Sequence, residues 1–323
     1  MRARTVIVLA AAAMTVPILA PPARAYVRAL SASGSPLYWS NSCATVTIYP
    51  NGFSMMTSEE VAKSIAAAAH AWSPDEVTCP GPGGSDGGSG HPYFEVIPSL
   101  STGGPVPGIG YDGKNSIIFQ TTSWPEDPSL IAFTQHFSRP DGEIVDSDME
   151  INAVPGTFWA NLDLGSPALG HGQEAIDLQT AITHEFGHFI GLAHTCVHTG
   201  FDPPASPLDD QGQPVPECPQ DPQCPPGSDV PQSQSVMWFN VCAASTTKRV
   251  ITADDARGIC DIYPAANDPQ VCAPNLPDDG CGCAAAGGPG ARSAAIGLLA
   301  LALAVAHARR RRLRSDRDRR ATL

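Results

Sequence analysis

Residues 184–194 read HEFGHFIGLAH. On a helix, His184 and His188 stand at i and i+4, so both imidazoles leave one face a turn apart. That spacing lets both reach one Zn²⁺. Glu185 projects beside them and can hold the water that such a metal activates. Gly191 tolerates a left-handed backbone, which ends the helix and turns the chain so that His194 can return as a third ligand. Three histidines leave one coordination position open, the mark of a catalytic and not a structural zinc. An amphipathic core helix would account for Phe186, Phe189, Ile190 and Leu192. It would not account for three histidines and a glutamate in register.

Asp177 reads as the N-cap of this helix. Upstream, Ala44–Tyr49 alternates as a strand and ends at Pro50-Asn51-Gly52. Thr57 and Glu60 form a capping box for a helix running through Val61, Ile65, Ala68 and Ala69 to about Trp72. Tyr93–Ile97, Asn115–Gln120, Ile131–Phe137 and Glu143–Asn152 read as further strands, the last two joined by an Arg139–Gly142 turn. One strand, a helix, four strands and a second helix make an α+β domain with one mixed sheet. Asp146, Asp148 and Glu150 alternate along the last strand and share a face. They form either a Ca²⁺ site or a solvated face.

The chain has 323 residues with 19 basic and 32 acidic side chains, a net charge of −13. Twelve of the basic residues lie in the first 25 positions or between Arg292 and Arg320. Residues 26–291 therefore carry seven basic against 30 acidic groups. So acidic a body repels phosphate backbones and excludes nucleic acid as a partner. It suits an exported soluble domain acting as a monomer.

Both termini read as addresses. Residues 1–25 have a positive start, an apolar run and an Ala23-Arg24-Ala25 cleavage site, which makes them a signal peptide with Tyr26 as the mature N-terminus. Residues 26–265 form the folded domain and 266–292 a linker that contains Cys281-Gly282-Cys283. Residues 293–323 hold a short apolar transmembrane run, Ser293–Ala308, and an arginine cluster that keeps its side in the cytoplasm. The body holds Cys43, Cys79, Cys196, Cys218, Cys224, Cys242, Cys260 and Cys272. An even number in an exported chain implies disulfides, with about a hundred pairings allowed.

The motif HEFGHFIGLAH resembles the HExxHxxGxxH pattern of metzincin zinc metallopeptidases. Asp177 to His194 looks most like the matrixin branch. Ser235-Val236-Met237 is similar to that family's methionine turn, and Thr252 to Tyr263 to its C-terminal helix. The resemblance implies that Asp254 and Asp255 brace the methionine turn. It also implies a twisted mixed sheet packed on the active-site helix, with substrate lying along Ile131–Phe137 by β-augmentation. Thr195, after the third histidine, fits astacins and adamalysins less well, whereas pappalysin-like enzymes share it. No cysteine-switch propeptide precedes the domain, and the proline-rich segment between His194 and Met237 is longer than matrixins carry. Residues 281–320 resemble the MYXO-CTERM type of bacterial sorting signal. That implies a Gram-negative source, processing near Cys281 and Cys283 by sorting machinery, and cell-surface delivery or secretion.

The expectation is an exported zinc endopeptidase acting on protein or peptide substrates. Zn²⁺ would sit on His184, His188 and His194, with Glu185 as general base. The alternative is a zinc-binding surface adhesion module that does not cleave, and a third reading is a structural surface protein with an accidental motif.

Overall fold

The computed structural model describes residues 26–81, 90–162, 175–198, 205–219, 224 and 231–272. The expected signal peptide, the transmembrane run, the arginine-rich tail, Cys281 and Cys283 lie outside the described residues. No helix among the described residues is long and apolar enough to cross a membrane.

The α+β expectation holds. The strands are β1 (Val27–Arg28), β2 (Cys43–Tyr49), β3 (Glu95–Leu100), β4 (Ser116–Gln120), β5 (Ala132–Ser138), β6 (Ile144–Asn152), β7 (Trp159–Ala160), β8 (Ile176–Asp177) and β9 (Leu192–Ala193). The helices are α1 (Ser58–His70), α2 (Leu178–Phe189) and α3 (Ala253–Ile262). Five strands form one mixed sheet in the order β3-β2-β4-β6-β5, parallel throughout except for β5, which runs antiparallel to β6 at the edge. β6 is buried along almost its whole length, as an inner strand should be, and β5 is not.

The capping box of α1 forms as its sequence implies: Glu60 N–H donates to Thr57 Oγ1, and Thr57 N–H to Glu60 Oε2 at 2.7 Å. Val61, Ile65, Ala68 and Ala69 face the core. Trp72, just past its end, donates Nε1–H to the Thr183 carbonyl at 2.8 Å and ties α1 to α2. α2 is buried nearly all round. Its last carbonyls, which a helix end leaves unpaired, are taken up by aromatic side chains. Trp39 Nε1–H donates to Phe189 O at 2.8 Å, and Tyr263 O–H to Ile190 O at 2.9 Å.

The start of α2 is held more firmly still. Asp177 caps it through Thr180 N–H at 2.8 Å and accepts Arg249 Nε–H at 2.8 Å and Nη2–H at 2.5 Å. Burial alone would raise this carboxyl, but the bonds from Arg249, Thr180 and Leu162 outweigh it and hold the pKa below its ordinary 3.8. A lowered folded-state pKa means that stability is present above about pH 3.8 and is lost as pH falls through the folded value. Asp177→Ala should cost about 3–5 kcal/mol, because it strands a buried guanidinium and removes a cap. It should also flatten the acid limb of the stability curve, and denaturant unfolding at several pH values measures both effects.

All eight body cysteines pair, as Cys43–Cys272, Cys79–Cys260, Cys196–Cys218 and Cys224–Cys242. Residues 266–272, read from sequence as the start of a linker, are held to the body. Cys272 is bonded to β2, and Ser42 N–H donates to Val271 O at 2.9 Å. Thiol titration of the denatured, unreduced protein should find none of these eight free, and two or more reactive thiols among them would contradict the pairing.

Candidate metal centre and cleft

α2 delivers His184, Glu185 and His188 to one face, and the turn at Gly191 returns His194 to them. Gly191 has φ +102°, and a Cβ there would sit 2.6 Å from the Leu37 carbonyl, so both conformation and space demand glycine. The returning segment is β9, held antiparallel to β1, with Ala29 N–H donating to Gly191 O at 3.0 Å.

The three rings meet through Nε2. His184 and His188 each place Nε2 3.1 Å from Nε2 of His194. Their Nδ1 atoms face carbonyls, Val236 O at 2.7 Å and Leu192 O at 2.9 Å. A carbonyl only accepts, so Nδ1 carries the proton on both rings and their Nε2 lone pairs point inward. One proton on His194 Nε2 could satisfy only one of the two, whereas a cation satisfies all three. Tetrahedral ligands at ~2.0–2.1 Å from zinc lie ~3.3 Å apart, close to the spacing seen here. Burial, with the neighbouring His188 and His194, drives the His184 pKa well below 6.5 and keeps it in the neutral, ligating form. The donor set therefore fits a metal ion, and imidazole nitrogens suit zinc, copper, iron or nickel. Among the described residues this triad is the one group of three or more His, Cys, Asp or Glu able to share an ion.

Beneath the triad lies the turn Ser235-Val236-Met237. Asp255 at the start of α3 fixes it, accepting Ser235 Oγ–H at 2.6 Å and Val236 N–H at 3.0 Å. Of the two acids expected to brace the turn, Asp255 does so. Asp254 pairs with Arg257 on its own helix. Met237 is fully buried, and a Cβ on Gly187 would come within 2.1 Å of its sulfur. Gly187 thus permits α2 to rest on the methionine. The buried Lys248 donates Nζ–H to Trp238 O and Asn240 O, both at 2.7 Å, and anchors the chain that follows.

Glu185 is buried beside the triad, and its Oε2 accepts Thr134 Oγ1–H from β5 at 2.6 Å. Burial pushes the carboxyl up to about 7 against the pull of that hydrogen bond. A mostly apolar cleft of about 1020 Å³ runs past these groups. The strand β5 flanks it, with Leu30, Tyr111, Phe239 and Val241 also among the lining residues.

Sequence reasoning gave no role to His136, Thr134, Gly187 or Lys248. His136 on β5 is hydrogen-bonded to the His188 backbone and to Ser147 Oγ, and burial pulls its pKa down to about 4. None of the four has a spacing signal, because each acts through a partner distant in sequence.

Asp146, Asp148 and Glu150 are buried and not a solvated face. Asp146 accepts the amides of Asp112 and Gly113, Asp148 those of Gly110 and Ser116, and Glu150 accepts from Gln120. Two of the three acids thus clamp the loop that leads into β4. The segment after His194 is secured at both flanks, with Cys218 joined back to Cys196 and Cys224 forward to Cys242.

Comparison with protein-family models and with curated proteins finds no match.

Proposed function

We propose that the protein is a zinc-dependent endopeptidase of metzincin, matrixin-like type. The observation that carries this reading is the convergence of three imidazole Nε2 atoms with a buried carboxylate beside them, at the floor of a cleft bordered by an edge strand. His184, His188 and His194 hold the ion. When bound, zinc supplies Lewis acidity to water and to the scissile carbonyl. Glu185 takes a proton from water and passes it to the leaving nitrogen, as base and then as acid. β5 offers its open edge to an extended peptide, whose backbone extends the sheet. No side chain attacks the substrate, so no covalent intermediate forms.

The order of the further features supports the family reading: a turn with a buried methionine after the third histidine, then a helix whose Asp255 holds that turn. Glu185, buried and within reach of the cleft, favours an enzyme over a silent adhesion module. Four disulfides are compatible with an extracellular protein, and we place the protein at the cell surface or secreted, delivered by its terminal signals.

The test is zinc content and cleavage of an unfolded protein by the purified chain. One zinc per chain and chelator-sensitive cleavage are expected. Zinc without cleavage would leave the binding module, and neither would leave a structural protein.

A further inference from the structure

We propose that Thr134 is a positioning residue for Glu185 and couples the proton-moving carboxylate to the strand that receives the substrate. This rests on the endopeptidase reading. Thr134 lies within β5, opposite Met149 of β6, and is 6% exposed. Its neighbours Phe133 and Gln135 lie on the other face and are less buried. Its hydroxyl donates to Glu185 Oε2 at 2.6 Å and lies 3.5 Å from the Glu185 carbonyl.

A carboxylate taken from water into an apolar cleft needs a hydrogen-bond donor to fix its rotamer. Thr134 supplies that donor, and among the described residues Glu185 Oε1 makes no hydrogen bond. One oxygen is tied to the strand and the other is left for chemistry. The proton balance is consistent. Oε1 takes the proton released by water and returns it to the departing nitrogen. The Thr134 O–H bond stays intact, because Oε2 remains an acceptor in both states. The strand that sets the register of a bound peptide therefore also sets the position of the base, so the scissile bond and Oε1 are placed by one rigid element.

The experiment compares wild type, Thr134→Val, Thr134→Ala and Thr134→Ser, each alone and with Glu185→Ala, for kcat, KM and zinc content. Removing the hydroxyl should lower kcat about 10–100-fold, the scale of one misplaced catalytic contact, with KM and zinc unchanged. Thr134→Ser should recover most of the loss. In the Glu185→Ala background Thr134→Val should cost nothing further, a non-additivity that a purely structural role would not produce. Thr134→Ala serves the same purpose if the valine variant does not fold. Wild-type kcat in the valine or alanine variant, a loss confined to KM, or full additivity with Glu185→Ala would overturn the proposal alone. An inactive wild-type protein would overturn the endopeptidase reading and this inference with it.

Discussion

His188→Ala should leave the protein without stoichiometric zinc and without measurable peptidase activity. Two imidazoles remain in that variant, and a pair of ligands does not hold the ion against a chelator. The Lewis acidity lost is worth several kcal/mol, which is about 10³-fold or more in rate at ~1.4 kcal/mol per decade. The fold should survive, because Gly191, the β1–β9 pairing and the Trp39 and Tyr263 bonds still close the end of α2. Zinc binding to the native state stabilises by about 2.7 kcal/mol at a hundredfold excess over Kd. The wild-type Tm should therefore fall on adding chelator and that of His188→Ala should not move. A variant that keeps one zinc per chain would show that the three histidines are not the ligand set.

Glu185→Ala should separate metal binding from chemistry. Glu185 has no part in the ligand set, so zinc should stay, while turnover should drop by about 10²–10⁴-fold. Stability should change little, since relief of a buried carboxylate that burial disfavours in its charged form is offset by the Thr134 hydroxyl left without its acceptor. Its counterpart is cleavage at the wild-type rate, which would remove Glu185 from the mechanism.

The parts of the molecule that were legible beforehand are those where local pattern and tertiary need agree. β2 alternates, α1 carries its own capping box, and the i, i+4 histidines sit on a helix begun by Asp177. β1 and β9 were not legible, because two-residue strands have no period to read. The pairing of eight cysteines depends on which loops approach one another, which spacing does not encode. Thr134 was hidden for a different reason. A threonine in a strand is what β-propensity already provides, so nothing marked it before Glu185 was seen beside it. Asp146 and Asp148 show how alternation alone misleads: it places side chains on a common face but does not say whether a loop folds over them.

The bond between Cys43 and Cys272 has a mechanical consequence. Tension applied to the chain beyond residue 272 does not first pass back through α3. It crosses the disulfide into β2, an inner strand whose hydrogen bonds to β3 and β4 share the load. Asp255, which holds the methionine turn, lies behind that covalent shunt and is spared the pull. Traction on the C-terminal side would thus reach the sheet before it reached the three histidines, and their mutual spacing would outlast the first pull.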